Sequence, residues 1–436
     1  MLFAAVALLV FHLGREGAHW QLAPAYAAFA LFVIATVTNI FIHPASGVLY
    51  LVAGSMLLLL AAAAGLHWMA PMFRLPAPSG RYAVGTRIEH FVDPSRDAEG
   101  GHTAGSAREL MVQVWYPTVQ RRGVREVYRR PAELTRKSMH HAVLRTHSLR
   151  AAPIAEEGAP FPLLIFNPAW TGQRTQSTFL MQELASHGYV VASIDHTFYS
   201  GLVAFPDGRI FDSRIAPALG DFTYLSIDEG IELADQFVAI LAEDTSFVAD
   251  HLVALSRNPE SPWHGAIDVS KIAAFGHSIG GAAAADAAQT SPYIRAALNL
   301  DGWSFGETLR RGLTKPWMVI YGKGIEVEPT DATAQPAGVQ RYWEMNRRNL
   351  AAVAEHMRKT GGSRLAIEGA SHWNFADRPL YSPLRSKTAA GTISARRAHR
   401  IVSDLALAFF AETFGTGSLR VEEMVSRYGE VSQGRL

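Results

Sequence analysis

Residues 275–284 read FGHSIGGAAA, a serine with glycine two positions before and two after it. The apolar run Ile272–Phe275 stands in front and the alanine-rich stretch GAAAADAAQ behind. Two descriptions fit: small residues at a glycine-rich helix start, or a nucleophile elbow. In an elbow, Gly276 and Gly280 remove side chains that would clash in a tight turn from strand to helix, and the turn lifts the Ser278 hydroxyl above the sheet edge. The helix start behind the serine also brings backbone N–H groups and a positive dipole end to where an oxyanion would form. The spacing by itself is a weak signal. The strand before it and the helix after it raise its weight.

The surrounding chain supplies the sheet that an elbow needs. Short apolar runs at 110–117, 162–168, 189–196, 271–277, 296–302, 317–322 and 364–370 alternate with amphipathic stretches at Thr178–Ser186, Ile227–Leu255, Gly280–Gln289, Gln340–Lys359 and Ala395–Phe414. Strand, helix, strand in this order means crossover connections, so the expected class is α/β with a mostly parallel central sheet. A serine needs a base to take its proton and an acid to orient that base. The chain order expected with this elbow is serine, acid, histidine. Asp301 ends the apolar run AALNL, and His372 follows RLAIE and the turn GAS, so both are expected at the carboxyl edge, where catalytic groups collect in open α/β sheets. Asp195 and Asp268 are rival acids that break the order. For the oxyanion, the N–H of Ile279 is expected to pair with one from the loop Asn167–Gly172. Trp170 is the first choice there and Thr171 the alternative, because Pro168 has no N–H.

Of the 436 residues, 18% are charged and the net charge is +1, so no overall field favours nucleic acid. Cysteine is absent, which excludes disulfides, thiolate metal sites and a cysteine nucleophile. The first seventy residues carry only Arg15 and Glu16 as charges. Within them, 24–42 and 48–70 are charge-free and long enough to cross a bilayer as helices. Residues 2–13 are apolar but short. The expected organisation is therefore an N-terminal membrane segment at 1–74 with two or three helices, a Pro/Gly/Ser linker at 75–80, and a catalytic domain at 81–436. In a three-span arrangement Arg15 shares a side with Arg74, Arg81 and Arg87, and on this small count of charges the positive-inside rule makes that side cytoplasmic.

FGHSIGG, LNLDGWSFG and GASHWNFAD, together with LPAPSGRYAVGTR and ELMVQVWYP, resemble the platelet-activating-factor acetylhydrolase family, plasma and intracellular type II, and its bacterial relatives in the α/β-hydrolase superfamily. The resemblance covers about residues 75–415. It implies a calcium-independent serine esterase, without cofactor or metal, acting on short or oxidised acyl chains of phospholipid-like esters. It makes Ser278 the nucleophile, Asp301 the acid, His372 the base, and Trp170 and Ile279 the oxyanion donors. Where the family usually has a His-Gly pair in the oxyanion loop, this chain has Pro168-Ala169. Bacterial membrane-anchored relatives fit the N-terminal segment, which makes an inner membrane the expected location and the lipid bilayer an expected partner.

Residues 121–150 carry nine Lys or Arg against two Glu. This basic insertion reads as a solvated loop, a lid, or a surface for anionic head groups. His140, His141 and His147 within it lack a completing carboxylate or cysteine at zinc-ligand spacing. Trp303, Phe305, Trp373 and Phe375 are expected in the acyl pocket or the core. Two alternatives stand beside the phospholipid-type esterase: a general carboxylesterase of dienelactone-hydrolase or polyester-hydrolase type, and a non-catalytic membrane-anchored binding protein on the same fold.

Overall fold

The computed structural model describes residues 2–16, 18–69, 72–98, 106–214, 225–323 and 336–434. The chain divides into two compact units, residues 1–74 with 381–384, and residues 75–380 with 385–436. The first holds helices α1 (Leu2–Glu16), α2 (Ala23–Phe41) and α3 (Ser46–Met69). Residues 20–41 and 46–69 are each long and apolar enough to cross a membrane, and only 6% of each apolar window is buried. A core helix of a soluble protein would be mostly covered. The Arg15 side chain, on which the three-span orientation relies, lies outside the described residues.

The second unit is built on one sheet. Its first strands are β1 (Ala83–Asp97), β2 (Ala107–Thr118), β3 (Arg125–Val127), β4 (Arg145–Arg150), β5 (Phe161–Asn167) and β6 (Val190–Asp195). A small hairpin, β7 (Val203–Ala204) and β8 (Ile210–Phe211), stands apart from it. The sheet continues with β9 (Ile267–His277), β10 (Ile294–Leu300), β11 (Trp317–Gly322), β12 (Ser363–Ile367) and β13 (Val431–Gln433). The order across it is β13-β12-β11-β10-β9-β5-β6-β2-β1-β4-β3. From β6 to β12 all neighbours run parallel, whereas β2 pairs antiparallel with both β1 and β6. The elbow strand β9 sits in the middle, paired with β5 and β10, and its last six residues are buried.

The connecting helices are α4 (Thr178–Ser186), α5 (Ile227–Arg257), α6 (Ile279–Thr290), α7 (Gly306–Arg311), α8 (Ala337–Thr360), α9 (Arg385–Thr388), α10 (Ala395–Phe414) and α11 (Val421–Arg427). α5 starts with the pattern S-x-x-E: Ser226 Oγ accepts the Glu229 N–H, and the Glu229 carboxylate accepts the Ser226 N–H at 2.8 Å. α6 packs on α5 and on β9 and β10. Its alanines 282–285, 287 and 288 are fully buried, and such small side chains let a helix lie close against a sheet. α4 packs on α10.

The basic insertion forms the edge of this sheet. β4 pairs parallel with β1 at Gly85↔Leu149 and Thr86↔Arg150, and β3 pairs antiparallel with β4. Its two glutamates act as internal fasteners. Glu126, 3% exposed, accepts two hydrogen bonds from Arg150 at 3.0 and 2.9 Å. Glu133 shares the fully buried Arg174 guanidinium with Asp195. A charge-rich segment that reads as a loop or lid is therefore tied to the core through its minority charge.

Buried histidines give the fold a pH dependence, His141 and His399 among them. Burial, with His140 and Arg129 nearby, pushes His141 down to about 3. Burial pushes His399 down to about 4, while its Nε2–H donates to the Ala376 carbonyl at 2.9 Å. Both stay neutral in the fold but take up a proton below about 6.5 once unfolded. Their contribution is whole above pH 6.5 and is lost progressively as the pH falls toward 4. In thermal melts from pH 7 to pH 5, the stability of His399→Gln should fall less steeply than that of the unchanged protein, by about 1 kcal/mol per pH unit.

Candidate active site

β9 delivers Ser278 at its carboxyl end, where φ is 58° and ψ is −129°. This is backbone that a residue with a side chain rarely adopts. The Ser278 N–H donates to the Leu300 carbonyl at 2.9 Å, and the Gly281 N–H donates to the Ser278 carbonyl at 2.9 Å. The flanking glycines are required by close approach. A Cβ on Gly276 would run into the Gly280 carbonyl, and one on Gly280 would run into the carbonyls of Asn167 and Pro168. The start of α6 therefore rests directly on the loop after β5.

Asp301 follows β10 with φ 56°. Its N–H donates to the Ile320 carbonyl at 2.8 Å, its Oδ1 accepts the Gly322 N–H at 2.6 Å, and its Oδ2 lies 2.7 Å from His372 Nδ1. The carboxylate is 5% exposed and the imidazole 40%. With Nδ1–H donating to this covered carboxylate, the neutral ring carries its lone pair on Nε2. His372 starts the short helical turn His372–Phe375 after β12, and its ring lies 4.4 Å from that of His277, the residue before Ser278. The rival acids are engaged elsewhere. Asp195 pairs with Arg174, and Asp268 accepts from Ser270 and lies 3.2 Å from Lys271 Nζ.

In the loop after β5, Asn167 Oδ1 lies 2.7 Å from Thr245 Oγ1 and 3.1 Å from His196 Nε2. Behind it, His196 Nδ1 meets Asp244 Oδ2 at 2.9 Å, and Arg108 meets the same carboxylate with two nitrogens at 3.0 and 2.6 Å. Burial opposes this charge, but Arg108 and His196 hold the Asp244 carboxyl well below the usual carboxylate range. The Ala169 N–H donates to Gln176 Oε1 at 2.8 Å. Thr171 has φ 53° and forms a backbone bridge with Ser200. Trp170 and Ile279 line one pocket together with Pro168, Ala169, His196, Tyr199, Ser200, Phe237 and Leu241.

The four expected pocket aromatics separate. Phe305 and the half-buried Trp303 pack with Ile279, Trp170 and Tyr199, and Trp303 Nε1–H donates to Asn346 Oδ1 at 2.8 Å. Trp373 carries the Arg378 guanidinium 4.3 Å above its ring. Phe375 is fully buried behind His277 and belongs to the core, as the last residue of the helical turn that His372 starts. Sequence reasoning did not find Tyr199, Phe237, Leu241 and His196, which reach the pocket from a loop and from α5 without a motif. It also passed over Gln176 and His277, although His277 sits inside the elbow motif. Among the described residues no group of three or more His, Asp or Glu is placed to hold a metal ion.

Two family models match parts of the chain. Residues 71–206 match the platelet-activating factor acetylhydrolase, isoform II, family, and residues 222–372 match the PET hydrolase-like family. A probable 1-alkyl-2-acetylglycerophosphocholine esterase of Arthroderma benhamiae is 24% identical over 60% of this chain and 67% of its own length. Cutinase est1 of Thermobifida alba is 23% identical over 41% of this chain and 48% of its own. The chain thus spans about half to two thirds of the length of these curated relatives. Among solved structures, a ferulic acid esterase from Streptomyces cinnamoneus superposes with a TM-score of 0.63 at 28% identity, covering 83% of this chain and 99% of that one.

Because a side chain at position 280 would collide with two carbonyls, Gly280→Ala should push the start of α6 off the Asn167–Pro168 loop. We expect a loss of about 1–3 kcal/mol of stability in thermal melts, together with slower labelling by a fluorophosphonate than in the unchanged protein.

Proposed function

We propose that this carboxylic ester hydrolase, an α/β-hydrolase of the platelet-activating-factor acetylhydrolase-like kind, works through an acyl-enzyme on Ser278 with His372 as base and Asp301 as its orienting acid. The observation that carries the reading is the 2.7 Å contact between His372 Nδ1 and the covered Asp301 carboxylate, on a ring beside the residue that precedes a left-handed serine. In acylation, His372 Nε2 takes the Ser278 hydroxyl proton as Oγ attacks the ester carbonyl carbon. The C=O electron pair moves onto oxygen, toward the N–H groups of Ile279 and Trp170. When the tetrahedral adduct collapses, the alcohol leaves with the proton returned by His372. Water then repeats the sequence on the acyl-enzyme, releasing the acid and restoring the serine. Asp301 stabilises the imidazolium formed in each half-reaction.

For substrate, we favour esters with short or oxidised acyl chains on phospholipid-like alcohols. Support comes from the acetylhydrolase family match over 71–206 and the glycerophosphocholine esterase relative. The two apolar helices support an anchor in a bilayer, where such esters concentrate, and each is long enough for its ~30 Å hydrocarbon core. A second reading, an esterase for aromatic or polyester-type substrates, is favoured by the PET hydrolase-like match over 222–372 and by the ferulic acid esterase neighbour.

The full-length protein in detergent should be labelled by a fluorophosphonate, and Ser278→Ala should not be; persistent labelling of the variant would sink the mechanism. Asp301→Asn should lower kcat by roughly 10⁴-fold, because the imidazole then holds the wrong tautomer. Relative kcat/KM values on truncated-chain phosphatidylcholine, p-nitrophenyl acetate and a feruloyl ester decide between the two substrate classes. No turnover on any ester would leave a binding protein.

A further inference from the structure

Three hydrogen bonds run in series from the oxyanion loop to the backbone of the base, through two side chains the reaction itself does not use. The Ala169 N–H donates to Gln176 Oε1 at 2.8 Å. The Gln176 amide nitrogen meets His277 Nδ1 at 2.5 Å. His277 Nε2 meets the His372 carbonyl oxygen at 2.8 Å. Gln176 is 6% exposed and His277 wholly buried, so bulk water does not compete for these groups.

The two backbone ends set the direction of the whole series. A backbone N–H can only donate, so the Gln176 atom facing Ala169 is the carbonyl oxygen, and the atom facing His277 is then the NH₂ group. Against that donor, Nδ1 must present its lone pair, which puts the ring proton on Nε2. There it meets a carbonyl, which can only accept. Burial and the neighbouring His372 push His277 well below its ordinary pKa, which keeps the ring in this neutral form. A proton on Nδ1 would instead force the amide to turn over and set its NH₂ against the Ala169 N–H, two donors facing each other.

We propose that Gln176 and His277 are positioning residues for ester hydrolysis, a strut that fixes the loop carrying Trp170 against the loop carrying His372, and that it functions only with His277 neutral and protonated on Nε2. The proposal rests on the reading of Ser278, His372 and Trp170 given above. The strut is short and has no slack: Gln176 also accepts the Asp377 N–H on its own carbonyl at 2.8 Å, five residues beyond His372. A shift of either loop by about 1 Å is enough to cost ~10²-fold in rate.

The test uses the full-length protein and p-nitrophenyl acetate, with Gln176→Met, His277→Phe and the double variant. Each single change should lower kcat by about 10- to 100-fold with KM within about twofold, and the double should be no slower than the slower single, as for links in one series. Gln176→Glu keeps the acceptor for Ala169 but can donate to Nδ1 of a neutral His277 only when its own carboxyl carries a proton. Its rate relative to the unchanged protein should therefore recover as the pH is lowered, an effect that a merely structural side chain would not give. Unchanged kcat, losses that multiply in the double variant, or no recovery at low pH would overturn the strut. Should the variants not fold, ¹⁵N-histidine spectra of the unchanged protein decide: His277 neutral with Nε2–H down to pH 5 supports the proposal, and the Nδ1–H form refutes it. Activity surviving in Ser278→Ala would defeat the triad reading while leaving that spectrum as it is.

Discussion

The site depends on a parallel hydrogen-bond ladder that continues past the ends of its strands. Ser278 donates back to Leu300 at the end of β10, Asp301 donates to Ile320 in β11, and the Gly322 N–H at the end of β11 returns to the Asp301 carboxylate. Each of the first two steps lands on a non-glycine residue with positive φ, 58° at Ser278 and 56° at Asp301. Such backbone costs about 1–3 kcal/mol per residue and persists only where its surroundings fix it. Here the neighbouring strand fixes each one. The side chains proposed as nucleophile and acid therefore stand at successive steps of one sheet edge, and their separation follows from strand spacing.

The third group has no such ladder, and its position is set by packing from the other side. The segment 372–377 is held to residues 176–179 by several unrelated bonds: Ser177 Oγ to the Phe375 carbonyl at 3.0 Å, Asp377 N–H to the Gln176 carbonyl, and the Thr178 and Phe179 N–H groups to the Asp377 carboxylate at 2.9 and 3.1 Å. The last two place a carboxylate at the start of α4, where the unpaired amides and the positive dipole end favour it. Tyr128, from the basic insertion, donates to the same carboxylate at 2.9 Å. The edge of the sheet, the first turn of α4 and the loop that carries His372 thus share one buried acid. That arrangement explains why an insertion rich in Arg is held so firmly.

Much of this was readable from periodicity and local chemistry. α4 and α10 have the bounds that their amphipathic pattern suggests, and the buried strands β5, β6 and β9–β12 appear within a few residues of their apolar runs. The positions of Ser278, Asp301 and His372 at carboxyl-edge turns were legible because short turn motifs follow strong strands. What escaped has a common physical reason. β3 and β13 at the two edges of the sheet, and β4 beside β3, are short strands whose side chains are mostly polar, so no alternation marks them. Gln176 has no local signature at all, since its role comes from the meeting of three chain segments. Phe375 reads like a pocket aromatic because it stands near the base, and only the direction of a helical turn sends it into the core.

The Pro168-Ala169 pair bears on the same point. Proline at 168 removes one N–H from the proposed oxyanion loop and fixes its own φ near −65°, so the loop has fewer ways to move and fewer groups to anchor it. Its anchors are correspondingly side chains. Asn167 is held by Thr245 and by His196, which stands on the buried Asp244–Arg108 pair, and Ala169 is held by Gln176. With both residues flanking the proline pinned, the next peptide, that of Trp170, inherits its direction from the two ends. A loop with a histidine and a glycine at these positions would gain an amide and lose that stiffness. In the proposed mechanism, the geometry presented to an ester carbonyl is therefore set by Asn167 and Gln176 as much as by the residue expected to donate the hydrogen bond.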